Sequence, residues 1–511
     1  MKQSPKVESK ASMSVGDADA RKLQEMGYAQ EMGRKFSVWS VLGVGFSLTN
    51  SWWAVSAAMI TGINSGGPVL LIYGTILLFI ISLGVAGSLS ELVSALPNAA
   101  GQSFWARELA PKKYAAAASY LAGWFAWAGS LFACASVSLS VAYALVACYS
   151  LSHPDYVYTV YHVFAAYQCV NVFSAIFNCY GKLLPQIATV SLYTTLVSFI
   201  IVLITVPAKA PTHRDARFVF ETLMNNTGWS TNGIAFIVGL INTNWGFSCL
   251  DTAVHLAEEV PQPERNIPIA IMGTVIIGFV TSFAFIISMM FSLLNFDAVS
   301  VSLAPILELF YDALGNKAGA IVLESLVIAT GIGCQIACHT WQSRLCWSFS
   351  RDRGLPFHRL WAQIHPTLDV PLYAHALGCF LNAVLGCLYL ASYSAINSII
   401  TGCIVLPYVS YAIPVICLLV RGRDKIRPGP FWLGKYGYIA NFVLLGWTLF
   451  TVVMYSLPAY MPAEADSMNY VSACYGILVL VFSVDWFVRG RKEYRGQTLE
   501  HDDGLHTIVG L

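Results

Sequence analysis

Charge is what this chain lacks most. Only 11% of its 511 residues are Asp, Glu, Lys or Arg, against roughly a quarter in a soluble domain. Apolar residues make up 56% of the chain, and the mean hydropathy is +0.61. That balance excludes an ordinary soluble globule and makes the lipid bilayer the chain's main partner. A net charge of +1 gives no basic stripe, so no nucleic-acid partner is expected. There is no phosphate-cradling glycine loop and no ATPase motif, so any pumping must draw on a gradient. The 13 cysteines sit in apolar runs without paired loop spacing, which reads as reduced packing residues and not as a disulfide framework. Cys334 and Cys338 lie one helical turn apart but bring no further ligands, so neither metal nor cofactor is expected. The first 35 residues lack an apolar core of the signal-peptide kind, and being charged and poor in aromatics they read as disordered.

What is present is a series of long apolar runs. Runs able to cross about 30 Å of hydrocarbon cover 36–60, 67–92, 115–149, 159–180, 183–207, 232–256, 267–294, 318–349, 371–393, 395–420, 436–457 and 468–488. The expected fold is therefore an all-α polytopic membrane protein with 12 transmembrane helices, the third and eighth long enough to tilt or protrude. One membrane domain, 36–488, is flanked by tails 1–35 and 489–511. Of the 29 Lys and Arg, 25 fall in the tails and alternate loops, and four (Lys209, Arg214, Arg217 and Lys317) fall on the other side. Positive charge stays in the cytosol, so both tails are expected there. The Asn225-Asn226-Thr227 tripeptide lies on the charge-poor side, where Asn225 could accept a glycan.

Two spans are interrupted. In the first, Thr49, Asn50 and Ser51 precede Trp52 and Trp53; in the sixth, Asn242, Thr243 and Asn244 precede Trp245, Gly246 and Phe247. Asn and Thr in a span can simply bond a neighbouring helix, and single indoles are usually packing. Matching interruptions five spans apart, however, point to inverted repeats with a ligand site at the midplane. Asp251 and His255 follow inside the sixth span. An intramembrane Asp costs about 2.5–3.5 kcal/mol on insertion scales, which favours a functional role over a helix cap. His255 reads as structural. His339, in span eight, is either a packing histidine or a gate. Glu258, Glu259 and Arg265, with Arg344, Arg351 and Asp352, are either solvated charges or an inner gate of ion pairs. Trp124, Trp127 and Ser130 offer a possible third wall from span three.

Ala257-Glu258-Glu259-Val260-Pro261 through Pro263-Glu264-Arg265-Asn266-Ile267-Pro268 resembles the motif after span six of the amino acid–polyamine–organocation (APC) superfamily. Arg344 through Arg351-Asp352-Arg353-Gly354-Leu355-Pro356 resembles its motif after span eight, and Ser90-Glu91-Leu92 with Pro97 and Gly101 its 2–3 connection. Strings such as Phe177-Asn178-Cys179-Tyr180-Gly181-Lys182 and Ile336-Ala337-Cys338-His339-Thr340-Trp341-Gln342 resemble its amino acid/choline transporter family, and within it the fungal choline carriers. The resemblance implies a LeuT-type 5+5 inverted repeat with broken helices 1 and 6, a plasma-membrane location, and uptake of choline, ethanolamine or a related amine. Members that carry amino acids have a Gly-rich first break for the substrate carboxylate. This chain departs from them with Trp52, Trp53 and Ala54, which suits a quaternary ammonium held by cation–π contact, about 0.5–2 kcal/mol per desolvated ring. Trp245 and Phe247 would add walls, and Asn50 and Asn244 would orient a hydroxyl. Asp251 resembles a carboxylate of relatives that respond to protons, so the expected coupling ion is H+. A permease for 4-aminobutyrate, another amino acid or a polyamine keeps the same fold. A non-transporting nutrient sensor would need longer tails. A membrane acyltransferase would need catalytic partners for His339, so no enzyme is expected.

Overall fold

The computed structural model describes residues 15–302, 304–391, 395–464 and 468–497. Residues 1–14 of the expected N-terminal tail and 498–511 of the C-terminal tail lie outside them. Among the described residues there is helix and turn but no strand. The first apolar segment is cut into α1 (Val38–Thr49), α2 (Ser51–Ala57) and α3 (Met59–Ser65). Then follow α4 (Gly67–Ala95), α5 (Ala115–Ser152), α6 (Val160–Phe177), α7 (Leu184–Lys209) and α8 (Asn232–Trp245). The remainder are α9 (Pro263–Phe291), α10 (Lys317–Arg351), α11 (Leu372–Gly386), α12 (Ala395–Arg421), α13 (Tyr436–Met454) and α14 (Val471–Asp485). Among the described residues, ten helical stretches are long and apolar enough to cross a bilayer: α4 to α7, α9, α10, α12, α13, and Leu372–Leu390 and Val471–Glu493, which extend α11 and α14.

Local sequence explains these limits. α4, α7 and α9 each start with a proline in the first turn, where its missing N–H would be unpaired anyway. At 38 and 35 residues, α5 and α10 exceed the roughly 20 residues that a span needs. α5 is the core helix: 89% of its apolar window is buried, against 11% for the stretch Val471–Glu493. Its Ala, Gly and Ser residues let neighbours approach. A Cβ on Gly129 would lie 2.6 Å from the ring of Pro407 on α12. The sixth segment departs from a simple broken helix. After α8 the chain runs as turns, with one 3-10 turn at Val254–Leu256, until α9 begins.

The N-terminal segment corrects the expectation of disorder. Residues 15–25 are helical, and Leu23, Met26, Tyr28, Met32 and Phe36 are buried. Five apolar side chains spaced along an otherwise polar stretch are enough to dock it. The backbone N–H groups of Lys35 and Phe36 donate to Glu259 O at 2.9 and 3.0 Å, Lys22 pairs with Glu264 and Arg34 with Asp19, and the Tyr28 hydroxyl donates to the Asp352 carboxylate at 2.9 Å. Burial pushes the Asp352 carboxyl up to about 7, the Arg351 guanidinium opposing. Glu258 also raises it, and Tyr28 and Arg107 lower it. Tyr28→Phe deletes a bond worth about 1.5–3 kcal/mol. Limited proteolysis of the 15–35 segment is expected to quicken in that variant.

Candidate functional site

The two interruptions meet. Each contains a non-glycine residue in the left-handed region, Asn50 (φ 27°) and Cys249 (φ 58°). Such residues cost of order 1–3 kcal/mol and cluster at functional sites; Asn tolerates the conformation better than most. The Thr49 hydroxyl donates to Ser248 O at 3.3 Å, the Ser51 hydroxyl to Gly246 O at 2.5 Å, and the Asn242 amide to Val55 O at 3.2 Å. The polar residues of each break thus satisfy carbonyls that the other leaves open, as buried backbone requires. Gly246 makes the approach possible, since a Cβ there would stand 3.0 Å from Ser51 O.

Beside this junction Trp53 and Trp245 face each other with ring centroids 5.5 Å apart and a 54° tilt. They wall a cavity of about 10 Å³ with Thr49, Ala133, Val137, Ser248 and Cys403. That volume takes about one water, so an organic cargo enters only when the walls separate. Among the described residues, no Lys or Arg lines it. Trp53 also walls a second cavity, of about 20 Å³, lined by Ser56, Tyr143, Pro305 and Glu324 among others.

The other expected cargo residues lie around this cage without lining it. Asn50 and Trp52 both turn to α7, donating to the Thr195 hydroxyl at 3.0 Å each. Trp52 is fully buried against Phe199 and Phe285. Asn244 donates to Tyr455 Oη at 3.1 Å and accepts from Tyr408 Oη at 3.3 Å. Phe247 is buried and its ring is directed at Gly278 of α9. Trp127 packs on Trp124, and the Ser130 hydroxyl donates to Trp127 O at 2.7 Å. About one and two turns past Ser130 on the same helix, Ala133 and Val137 do reach the cage.

Asp251 is completely buried and saturated. Its Oδ1 accepts from Tyr411 Oη at 2.5 Å; its Oδ2 accepts from Gln102 Nε2 at 2.6 Å and faces His255 Nε2 at 3.0 Å. His255 Nδ1 lies 2.8 Å from Ala99 O, and a carbonyl accepts only, so this nitrogen carries a proton. Nε2 then meets a carboxylate, and one further proton must sit between the two groups. His255, expected to be structural, is thus the partner of Asp251.

The expected inner-gate residues sort into two pairs. Arg344 bonds both Glu259 oxygens, at 2.9 and 3.3 Å, with both side chains at most 2% exposed. Arg351 bonds both Glu258 oxygens, at 3.2 and 2.7 Å, and its guanidinium is sandwiched by Tyr28 and Trp347. Arg265 is exposed and outside these pairs. A third buried pair, Arg423 with Glu91 at 2.7 Å, ties the last turns of α4 to the loop after α12. His339 lies apart from the cage, stacked edge-on against His375 and 3.8 Å from Cys379 Sγ; donor atoms of the three lie within 4.8 Å of one another. Asn225 is half-buried, and its amide donates to Trp229 O at 2.9 Å.

Sequence reasoning missed Glu324, Gln102, Tyr411 and Thr195. Only Glu324 carried a signal, being a carboxylate inside an apolar run; the others become visible only when distant segments meet.

The amino acid permease family profile matches residues 36–482. A choline transporter of Saccharomyces cerevisiae is 51% identical over 93% of this chain and 86% of its own length. A swainsonine transporter of Arthroderma benhamiae is 36% identical over 90% and 92%. A 7-keto 8-aminopelargonic acid transporter of Saccharomyces cerevisiae is 33% identical over 88% and 91%. With a helical bundle, two joined interruptions and a profile spanning almost all the apolar segments, the chain belongs to the amino acid permease family, whose members here are transporters and not enzymes.

Proposed function

We propose that this chain is a secondary active importer of choline, with ethanolamine as a weaker cargo, in the plasma membrane and driven by protons. In this reading it spans the bilayer twelve times as a 5+5 inverted repeat, with both tails cytosolic. The observation that carries the choline reading is the Trp53–Trp245 pair at the junction of the two breaks, on walls without a cationic side chain. Indole faces attract a quaternary ammonium, which has no N–H to donate. An amino acid's carboxylate would meet Trp52, Trp53 and Ala54 in place of a Gly-rich break. The 51% identity to a choline transporter supports the same cargo. The test is labelled-choline uptake in cells lacking their own, competed with ethanolamine, 4-aminobutyrate and spermidine. Ethanolamine is expected to compete weakly and the other two hardly at all; stronger competition by 4-aminobutyrate than by unlabelled choline would overturn the cargo.

The shared proton of Asp251 and His255 supports H+ coupling, because it sits where three separate segments meet: Tyr411 of α12 and Gln102 of the 2–3 connection bond the Asp251 carboxylate, and Ala99 O of that connection holds the His255 ring. Asp251→Asn removes the proton site. It is expected to flatten the dependence of uptake on external pH, measured at two pH values, while residual exchange of choline persists. An unchanged pH dependence would contradict the role. Arg344–Glu259 and Arg351–Glu258 act as the inner gate, latched by the N-terminal segment.

A further inference from the structure

Glu324 sits near the Lys317 end of α10 and is 1% exposed, yet its Oε2 has no hydrogen-bond partner among the described residues. Among the described residues, no Lys, Arg or His lines its cavity. A buried charged oxygen without a partner at membrane depth is costly, and the partner that satisfies it is a cation or a proton. The cavity is shared with Trp53 and Tyr143, so an acidic oxygen and aromatic rings border the same space. The direction of the side chain has independent support. Gly331 stands seven residues on, two turns along the same face, and a Cβ there would lie 2.8 Å from the Trp53 indole. The Trp53 ring therefore lies against the face of α10 that carries Glu324. The same residue also walls the Trp245 cage. Asp251 cannot meet a cargo's charge in this arrangement, because both its oxygens are already bonded.

We propose that Glu324 forms an outer cation subsite, where its carboxylate holds the ammonium group of the cargo before the cargo passes the Trp53 ring into the Trp53–Trp245 cage. This rests on the reading that the cargo is a small organic cation. The attraction is charge to charge, and it serves a quaternary ammonium and a primary amine alike. Ser56 and Ser140 border the same cavity; their hydroxyls donate to Trp53 O and Ser136 O, which leaves their oxygens to accept from the alcohol end of the cargo.

The test compares choline with 3,3-dimethylbutan-1-ol, its neutral isostere in which carbon replaces nitrogen. In Glu324→Gln the half-saturation for choline uptake is expected to rise at least about tenfold at equal surface abundance. Inhibition by the isostere is expected to stay the same. Glu324→Asp, which keeps the charge, should remain within about threefold of the parent. A second measurement needs no variant: labelling of Glu324 by a lipophilic carbodiimide, read by mass spectrometry, is expected to slow with choline present and not with the isostere. Choline and isostere shifting together, or an unaltered half-saturation with unprotected labelling, overturns the subsite while leaving choline transport standing. Failure of the parent chain to take up choline overturns the cargo reading and the subsite with it.

Discussion

Trp53→Ala and Trp245→Ala are each expected to raise the half-saturation for choline uptake by roughly 2- to 30-fold, the equivalent of about 0.5–2 kcal/mol per desolvated ring. The two rings are 5.5 Å apart, and each is at most 4% exposed, so water screens neither. The shift belongs to cargo contact and not to general packing, because a control stands next in sequence. Trp52 is as buried, but its ring packs on Phe199 and Phe285 and its N–H is spent on Thr195. Trp52→Ala is expected to reduce the amount of folded protein, by about 3–5 kcal/mol of lost packing, and to leave the half-saturation of what remains near its original value. Trp53→Phe keeps an apolar wall with a weaker quadrupole and should fall between. Equal half-saturation shifts at Trp52 and Trp53 would contradict the assignment of one to packing and the other to the cage.

Arg344→Ala is expected to remove most functional protein. It strands Glu259 in a site where both partners are at most 2% exposed, and breaking a buried pair from one side costs about 3–5 kcal/mol, a large share of a typical 5–15 kcal/mol stability. Glu259→Gln should cost nearly as much by stranding Arg344. Removing both charges together, in Glu259→Gln with Arg344→Gln, avoids the uncompensated charge. The double variant is expected to be more abundant than either single variant, measured as monodisperse protein after detergent extraction. Its gate lacks the attraction that closes it, so its uptake rate need not recover with its abundance. A double variant no more abundant than the single ones would show that the pair is not the closing contact.

Much of this arrangement is written in local sequence. The apolar runs dictate the long helices because each must satisfy its own backbone in lipid. Both interruptions are legible because Thr49, Asn50, Ser51, Asn242 and Asn244 are polar at a depth that disfavours them. What the sequence does not carry is direction. Trp52 and Trp53 are neighbours of one residue type, yet adjacent positions on a helix point about 100° apart, and only the position of α7 and α10 decides which ring packs and which lines the cage. Asn50 and Asn244 were equally plausible ligands until Thr195, Tyr408 and Tyr455, from distant segments, claimed their amides. The N-terminal segment is polar enough to read as disordered, and its buried residues are spaced for a surface that the chain itself does not announce. Asp251 was conspicuous; its partner His255, four residues on, became meaningful only when Ala99 O fixed where the ring proton lies.

The most direct test is transport by the purified chain in proteoliposomes with an inward proton gradient. The account predicts saturable accumulation of labelled choline, inhibited by tetramethylammonium, collapsed by a protonophore and weakened in Trp53→Ala and Trp245→Ala. Accumulation of 4-aminobutyrate in preference to choline, or choline accumulation indifferent to both indoles, would contradict it.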